Sequence, residues 1–397
     1  MNSRETALDI LYRVFYDHGY ASLLMRECRL DHSRMAYVSE LVYGTIRNRT
    51  LLEYQWKEFA GKTRGKTEVL LDMSVYEMFF MNTPSYAVIN EANELASKRD
   101  RSFVNAILRK VKERGLHESS DLSIQYSMPS WLISLWKAHY GEEKMLEILK
   151  NSNTRGKVIG RINPLKADFD SLIEKQHYTR IDDLCFIADV PLVRTEDFIK
   201  GNALIQNPSS TLPVRFLDVK EGMKVLDVCA SPGTKTQLTA ALMHDKGEIV
   251  ACDLYENRVA LIDQLMNRTG VHICKSEVRD GTVPHAFESE SFDRILCDVP
   301  CSGLGDLRHK PEIRWHVKPE DLDEIIETQK QILSASSEYL KKGGILVYST
   351  CTLNRKENEN QISAFLKEYT DFELLKEETV FPDDMHDGFY VACMRKR

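Results

Sequence analysis

Two cysteines stand where apolar runs end: Cys301 in DVPCSG, after FDRIL, and Cys351 in STCTL, after GGILVY. A free thiol has a pKa of ~8.5 and is only a few per cent ionised at neutral pH, yet its thiolate is a strong nucleophile, and electropositive surroundings enlarge the ionised fraction. Two thiols allow a division of labour, one attacking carbon and the other serving as acid or base when the bond must break. Other roles compete. Free cysteine is among the most buried residue types, so a single strand-end thiol reads first as a small apolar side chain. A redox couple would use two nearby thiols, and a structural zinc would use paired ones. No C-x2-C occurs, and Cys297 with Cys301 forms only C-x3-C without a second pair, so neither a dithiol redox motif nor a metal is expected. The nine cysteines are odd in number, and several lie in the apolar runs VLDVCA, EIVACDL and ILCDVP. That is the pattern of reduced, buried thiols rather than of a disulfide framework.

The elements that must position these residues alternate from Gly222 onward. Short β-branched runs ending in Asp or Cys, namely KVLDVCA, EIVACDL, FDRILCDVP and GGILVYSTC, are separated by helical stretches, which predicts a doubly wound α/β domain over residues 206–397. In such sheets ligands sit beyond the carboxyl ends of the strands. After KVLDV come Cys229, Ala230, Ser231, Pro232, Gly233, Thr234 and Lys235, and then the helix-like TQLTAALM. This is a tight strand–turn–helix whose small residues permit close ligand approach. It is neither G-x-G-x-x-G nor G-x-x-x-x-G-K-[ST], which argues against NAD and ATP and makes a dehydrogenase a distant third reading. Asp253 closes the next strand, where a carboxylate can accept from both hydroxyls of a ribose. Asp280, in EVRDGT, and Asp298 end the next two runs.

The chain has 397 residues, 43% hydrophobic and 28% charged, the composition of a globular protein of two or three domains. Residues 1–120 read as helices. Thr83 is the expected N-cap and Pro84 the expected first helical residue of one of them. In the next, Phe103, Val104, Ile107, Leu108 and Val111 share a face, leaving Arg109, Lys110, Lys112 and Arg114 opposite. Residues 1–120 hold 18 Lys and Arg against 16 Asp and Glu, or +2, in a chain of net charge −7; within 97–114 seven basic side chains stand against two acidic ones. Such a face serves either solubility or phosphate contact. Residues 121–205 change character, with YSMPSWLISLWKAHYG, a strand-like VIGRIN, a helix-like ADFDSLIEK and the short runs CFIADVPLV and ALIQ, so a small α+β module is expected. No stretch approaches the ~20 apolar residues of a membrane span, and MNSRETALDILYRVF is amphipathic and partly acidic, unlike a secretory leader. A cytoplasmic protein with no membrane association is expected.

Three segments, VSELVYGTIRNRTLLEYQW, VYEMFFMNTPSYAVINEANELA and FVNAILRKV, resemble the helical RNA-binding domain of the NusB family. CASPGTKT, DVPCSG followed by KPEIRW, and YSTCTL resemble the signature motifs of the RNA cytosine-5 methyltransferases of the RsmB/NOP/NSUN family. The combination is similar to the RsmB branch, which methylates small-subunit (16S) ribosomal RNA. The resemblance implies an all-α NusB-like domain over 1–120, an α+β linker module over 121–205 and a Rossmann-like catalytic domain over 206–397. It implies S-adenosylmethionine as cofactor, bound by Cys229 to Lys235, Asp253, Arg258 in ENRVALI, Asp280 and Asp298. It further implies that Cys351 attacks C6 of cytosine, that Cys301 assists release, and that Asp298 stabilises protonated N3. The family usually shows A-P-G-G-K where this chain has Ser231-Pro232-Gly233-Thr234-Lys235, with Thr234 in a glycine's place. The expected partner is 16S ribosomal RNA, naked or in a partly assembled subunit, and the expected state a monomer. The target base must be unstacked or already in a loop, and Arg308, Lys310, Arg314 and Trp315 of RHKPEIRWH suit phosphate pairing and base stacking. Two alternatives stand beside this reading. One is a cytosine-5 methyltransferase acting on tRNA or DNA, although the DNA enzymes use the Pro-Cys cysteine as nucleophile and carry a Glu-Asn-Val motif that is missing here. The other is a non-catalytic RNA-binding or antitermination factor, in which the cofactor loop and cysteines should have decayed.

Overall fold

The computed structural model describes residues 2–28, 30–61 and 63–397. The chain divides into two compact units, Met1–Thr154 with Leu307–Lys318, and Arg155–Asp306 with Pro319–Arg397.

The first unit is helical. Its opening helix, Ser3–Tyr16, carries a capping box in which Asn2 and Glu5 satisfy each other's backbone N–H groups, removing two of the orphan donors a helix start leaves. His32–Trp56 is capped by Asp31, and Lys66–Phe80, Ser85–Leu95 and Arg101–Arg114 come after it. Leu11, Val14, Leu41, Ile46, Leu52, Trp56, Leu71, Ile107 and Leu108 form one buried core; each such side chain removed from water contributes about 1.5–3 kcal/mol. The helix expected after Thr83 starts one residue later than read. Pro84 is its N-cap, with no side-chain cap bond, because a proline that ends an extended segment leaves the first helical position to Ser85. On Arg101–Arg114 the apolar face is buried and Arg109, Lys110 and Lys112 are exposed. Arg114 departs from that exposed face: its guanidinium lies 4.9 Å from the Phe59 ring and donates to the Gln55 carbonyl. The helices Ser130–Tyr140 and Glu142–Ser152 also belong to this unit, whereas the change in composition near residue 120 groups them with the α+β segment on their C-terminal side.

Residues 307–318 lie between two elements of the second unit in sequence but belong to the first, and the partners of their side chains there correct the reading of Arg308, Arg314 and Trp315 as an RNA-facing cluster. Arg308 and Arg314 are buried. The Arg314 guanidinium donates to the carbonyls of Arg47, Tyr126, Ser127 and Ser152 and to Asn153 Oδ1, at 2.9–3.4 Å. Burial, and then the charge of Arg47, push it below its ordinary pKa. The Trp315 indole packs against the core and donates to the Ile46 carbonyl at 2.9 Å. These side chains collect carbonyl oxygens that helices and turns leave unpaired, which is structural work. Lys310 is exposed.

The second unit begins with a four-stranded antiparallel sheet made of β1 (Ile159–Ile162), β2 (Thr179–Arg180), β3 (Cys185–Ile187) and β4 (Ala203–Ile205), in the order β2-β3-β1-β4. The helix Phe169–Gln176 crosses between β1 and β2 in sequence, capped by Asp168. The larger sheet holds β5 (Lys224–Asp227), β6 (Glu248–Asp253), β7 (Cys274–Val278), β8 (Phe292–Asp298), β9 (Leu340–Thr350), β10 (Phe372–Val380) and β11 (Phe389–Lys396). Its order is β10-β11-β9-β8-β5-β6-β7. The five strands β5 to β9 pair in parallel, and β11 and β10 run antiparallel at one edge. Alternate residues enter different cores. Val225, Ile249, Ala251, Leu296, Ile345 and Val347 join one cluster, while Leu226, Val250, Cys252, Ile295, Cys297, Leu346 and Tyr348 join the other. Both faces are therefore buried, which is why these strands read as continuous apolar runs. The chain turns back at β5, which lies between β6 and β8, so a crevice opens beyond the carboxyl ends of β5 and β8.

Candidate active site

The loop after β5 turns on Gly233, whose φ of +100° lies in the left-handed region, and the helix Thr234–Leu242 starts at the next residue. That explains the departure at Thr234. It occupies the first helical position, with backbone angles any residue adopts, so a glycine is not required there. The loop is pinned by its own backbone: Ala230 N–H donates to the Cys252 carbonyl at 2.8 Å and Gly233 N–H to the Ala230 carbonyl at 2.7 Å. Ser231 N–H donates to Asp253 Oδ2 at 3.2 Å, and Arg258 Nε lies 2.8 Å from Asp253 Oδ1. The buried Asp253 at the end of β6, the loop and Arg258 thus form one connected group. Asp280 stands exposed after β7, with one oxygen accepting from the Thr282 N–H and hydroxyl at 2.9 and 2.7 Å. The Cys229 side chain packs against the apolar core, and burial pushes its thiol far up.

The two cysteine loops leave neighbouring strands. β8 and β9 are parallel with Asp298 opposite Ser349, so Cys301, three residues past the one, and Cys351, two past the other, emerge at the same edge. Their sulfurs are 3.4 Å apart and both are free thiols, well beyond the ~2.05 Å of a disulfide. Asp298 is held on both oxygens, by the Ser349 hydroxyl at 2.7 Å and by Lys235 Nζ at 2.7 Å. Glycine contact seals the loops. Gly305 N–H donates to the Cys351 carbonyl at 3.0 Å and Gly388 N–H to the Gly305 carbonyl at 3.0 Å. A Cβ on Gly305 would sit 2.0 Å from the Gly388 carbonyl oxygen, so no side chain fits.

Electrostatics distinguishes the members of this group. The hydrogen bond with Cys351, then burial, hold the Cys301 thiol well above its ordinary pKa, with the Glu357 charge adding to both. The two sulfurs are close enough to share a proton, and a hydrogen bond to a charged form stabilises that form. Burial works against the Lys235 ammonium, but the charge and hydrogen bond of Asp298, then the charge of Cys351, outweigh it and raise its pKa. A fixed cation therefore stands among Asp298, Cys351 and the loop after β5.

Three residues outside the expected set belong to this region. Asp227 ends β5, accepts from the Thr236 hydroxyl at 2.7 Å, and is pushed by burial to a pKa of about 7; an acid inside the run VLDV is its only sequence signal. Glu357 is fully buried between the cysteine loops, although RKENEN reads as solvated charge. Arg161, buried on β1, donates to Gln206 Oε1 at 2.6 Å, to the Ile162 carbonyl at 2.8 Å and to Gln237, joining the small sheet to the helix after the loop.

Similarity to known proteins spans the whole chain. The family model of 16S rRNA methyltransferases RsmB/F matches residues 214–395, the NusB family model matches residues 1–113, and a model of the ferredoxin-like domain of RsmF/B-like methyltransferases matches 128–181. The probable ribosomal RNA small subunit methyltransferase B of Bacillus subtilis (strain 168) is 34% identical, covering 99% of this chain and 98% of its own. The ribosomal RNA small subunit methyltransferase B of Vibrio cholerae serotype O1 is 30% identical over 100% of this chain and 98% of its own. The crystal structure of a methyltransferase homologue protein from Pyrococcus horikoshii superposes with a TM-score of 0.61 at 27% identity, over 70% of this chain and 98% of that one.

Proposed function

The chain belongs to the RsmB/F family of ribosomal RNA small subunit methyltransferases, and from that premise we propose that it transfers a methyl group from S-adenosylmethionine to C5 of a cytosine in 16S ribosomal RNA, through a covalent bond between Cys351 and C6. The observation that carries this reading is the pair of sulfurs 3.4 Å apart beside the Lys235–Asp298 ion pair, at the carboxyl edge of a parallel sheet. The residues fit an adenosine-bearing donor: Asp253 offers a buried carboxylate at the end of the second strand, and the small loop residues around Gly233 leave room for close backbone approach. Loop residues Cys229 to Lys235 with Asp253, Arg258, Asp280 and Asp298 would hold it. When bound, S-adenosylmethionine supplies an electrophilic methyl group.

The residues divide the remaining work. C5 of cytosine is a poor nucleophile until the ring's aromaticity is broken. The Cys351 thiolate, stabilised by the Lys235 ammonium and by the Cys301 S–H, forms the S–C6 bond. The displaced ring electrons move to N3, which takes up a proton, and Asp298 accepts a hydrogen bond from that N3–H. The proton taken up at N3 is the one Cys301 held, so that Cys301 is left as a thiolate and becomes a base. After C5 is methylated, Cys301 takes the C5 proton, the S–C6 bond breaks, Cys351 leaves as thiolate and N3 loses its proton. The thiol pair returns to its starting state and one proton is released per methyl transferred.

The test uses tritium-labelled S-adenosylmethionine with 16S transcript and with partly assembled small subunits. The label should appear in 5-methylcytidine. Cys351→Ala should abolish transfer and adduct alike, whereas Cys301→Ala should accumulate an RNA-linked protein stable to denaturing gels. Loss of the adduct in Cys301→Ala alone would reverse the two roles, and label in DNA or in another nucleoside would sink the assignment.

A further inference from the structure

One carboxylate at this edge takes no part in the chemistry above. Glu357 lies six residues after Cys351, and its side chain is fully buried at 0% exposure. Its Oε2 accepts from the Ser302 backbone N–H at 2.9 Å and from Gln329 Nε2 at 3.1 Å. Its Oε1 accepts from the Ser302 hydroxyl at 2.6 Å and from Asn354 Nδ2 at 2.9 Å. All four partners can donate, and only a carboxylate can meet four donors with acceptors alone.

The bonds reach the neighbour of Cys301 directly and the neighbours of Cys351 through Ser302 and the adjoining Asn358. Ser302 follows Cys301, and Gln329 also donates to the carbonyl of Pro300, which precedes it, at 2.9 Å. The Ser302 hydroxyl is 2.7 Å from the hydroxyl of Thr352, the residue after Cys351, and Thr352 Oγ1 accepts in turn from Leu304 N–H at 3.3 Å. The residue after Glu357 completes the brace: Asn358 Oδ1 accepts from the Thr350 hydroxyl at 2.6 Å, and its Nδ2 donates to the Thr352 carbonyl at 2.9 Å. Each cysteine is thus clamped on both flanks, and Glu357 is the point at which the two clamps meet. A buried carboxylate is expensive unless fully hydrogen-bonded. Here the four donors satisfy it, and the arrangement ties the two loops together alongside the Ser302–Thr352 pair, the Leu304 N–H to Thr352 Oγ1 bond and the contact of the sulfurs themselves.

We propose that Glu357 is a positioning residue that sets the separation of the Cys301 and Cys351 sulfurs. The proposal deepens the reading of the two thiols as nucleophile and release catalyst, and rests on it for its catalytic consequence. Its geometric core is independent of that reading. In Glu357→Gln the new NH2 faces either Ser302 N–H and Gln329, or Asn354 and the Ser302 hydroxyl, so donors confront a donor and the loops must part.

Two measurements on the full-length protein test this. In the first, diamide, which takes two hydrogens from a thiol pair to leave a disulfide and its own hydrazine, is followed by peptide mass mapping of the Cys301–Cys351 link. Glu357→Gln should form that link about tenfold more slowly than the wild type, since parting the sulfurs by an ångström removes them from contact. In the second, kcat for RNA methylation should fall by about 10–100-fold with KM for S-adenosylmethionine within about twofold of wild type, the pattern of a misplaced reacting group behind an intact cofactor site. If the Gln variant does not fold, Gln329→Leu, which removes two of the bonds and leaves the carboxylate, should move both readouts in the same direction. An unchanged rate of disulfide formation, with or without a loss of thermal stability, overturns the proposal. A slowed link in a protein whose wild type methylates no RNA supports the positioning role while defeating the methyltransferase mechanism.

Discussion

Asp227 offers the sharpest pH-dependent test of how this edge is built. It ends β5, the strand that feeds the Cys229–Lys235 loop. Its Oδ2 accepts from Thr236 at 2.7 Å, and its buried Oδ1 has no hydrogen-bond partner among the described residues. Burial, then the neighbouring charge of Asp298, raise its pKa to about 7, the Thr236 bond opposing them, against ~3.9 in an unfolded chain. A carboxyl raised in this way keeps its proton in the folded state after the unfolded chain has released it. Its contribution is full below the unfolded pKa, is lost as pH rises through the folded pKa, and stays lost above it. Three pK units correspond to about 4 kcal/mol, of which about 3 kcal/mol should be lost between about pH 5 and about pH 8. Asp227→Asn retains an oxygen for Thr236 and cannot ionise, so its stability relative to the wild type should climb by that amount over the same range. All four tryptophans, Trp56, Trp131, Trp136 and Trp315, belong to the first unit, so fluorescence is blind to the change. Hydrogen exchange of peptides covering β5, corrected for the intrinsic pH dependence of exchange, reads it as about a hundredfold change in relative protection. A difference between variant and wild type that stays flat from pH 5 to 8 would refute the burial argument.

Lys235→Met removes the cation from Asp298 and from the neighbourhood of Cys351; a charge-assisted bond of ~1.5–3 kcal/mol translates into a single-turnover methyl-transfer rate lower by about 10–100-fold, and an unaltered rate would separate Lys235 from the chemistry. Gly305→Ala drives a methyl group into the Gly388 carbonyl and should lower stability by about 1–3 kcal/mol while slowing adduct formation, measured by thermal unfolding and by denaturing gels; full activity would show that the loops yield more easily than their contact suggests. Arg314→Leu strands the five oxygens it now serves and should cost the first unit about 3–5 kcal/mol, visible in tryptophan fluorescence during urea unfolding, whereas loss of RNA affinity in a stably folded variant would restore its reading as an RNA contact.

Much of the catalytic unit was legible because parallel strands buried on both faces give apolar runs, and because the residues just after such runs fall at one edge of the sheet. That rule singled out Cys301, Cys351, Asp253, Asp280, Asp298 and the Cys229–Lys235 loop, and the structure sets each of them at or just past a strand end. Glu357 was not, since in RKENEN it is one charge among several and nothing local distinguishes a buried carboxylate from a solvated one. RHKPEIRWH misled in the opposite direction: basic and aromatic residues together suit nucleic acid, but Arg314 and Trp315 spend their donors on carbonyls of the helical unit.

The sequence by itself determined the order of strands and helices, the residues at each strand end and the family to which the chain belongs, because periodicity and motif are local properties. Only the tertiary structure decided which sulfur lies against which, that Asp298 is held by Lys235 and Ser349, that Asp227 is pushed to a pKa of about 7, and that Glu357 is the fastening of the two cysteine loops. Each of these depends on partners brought together from distant parts of the chain, or on the burial they create. Desolvation and hydrogen-bond geometry, which set the chemistry of a thiol or a carboxylate, do not exist until those partners meet.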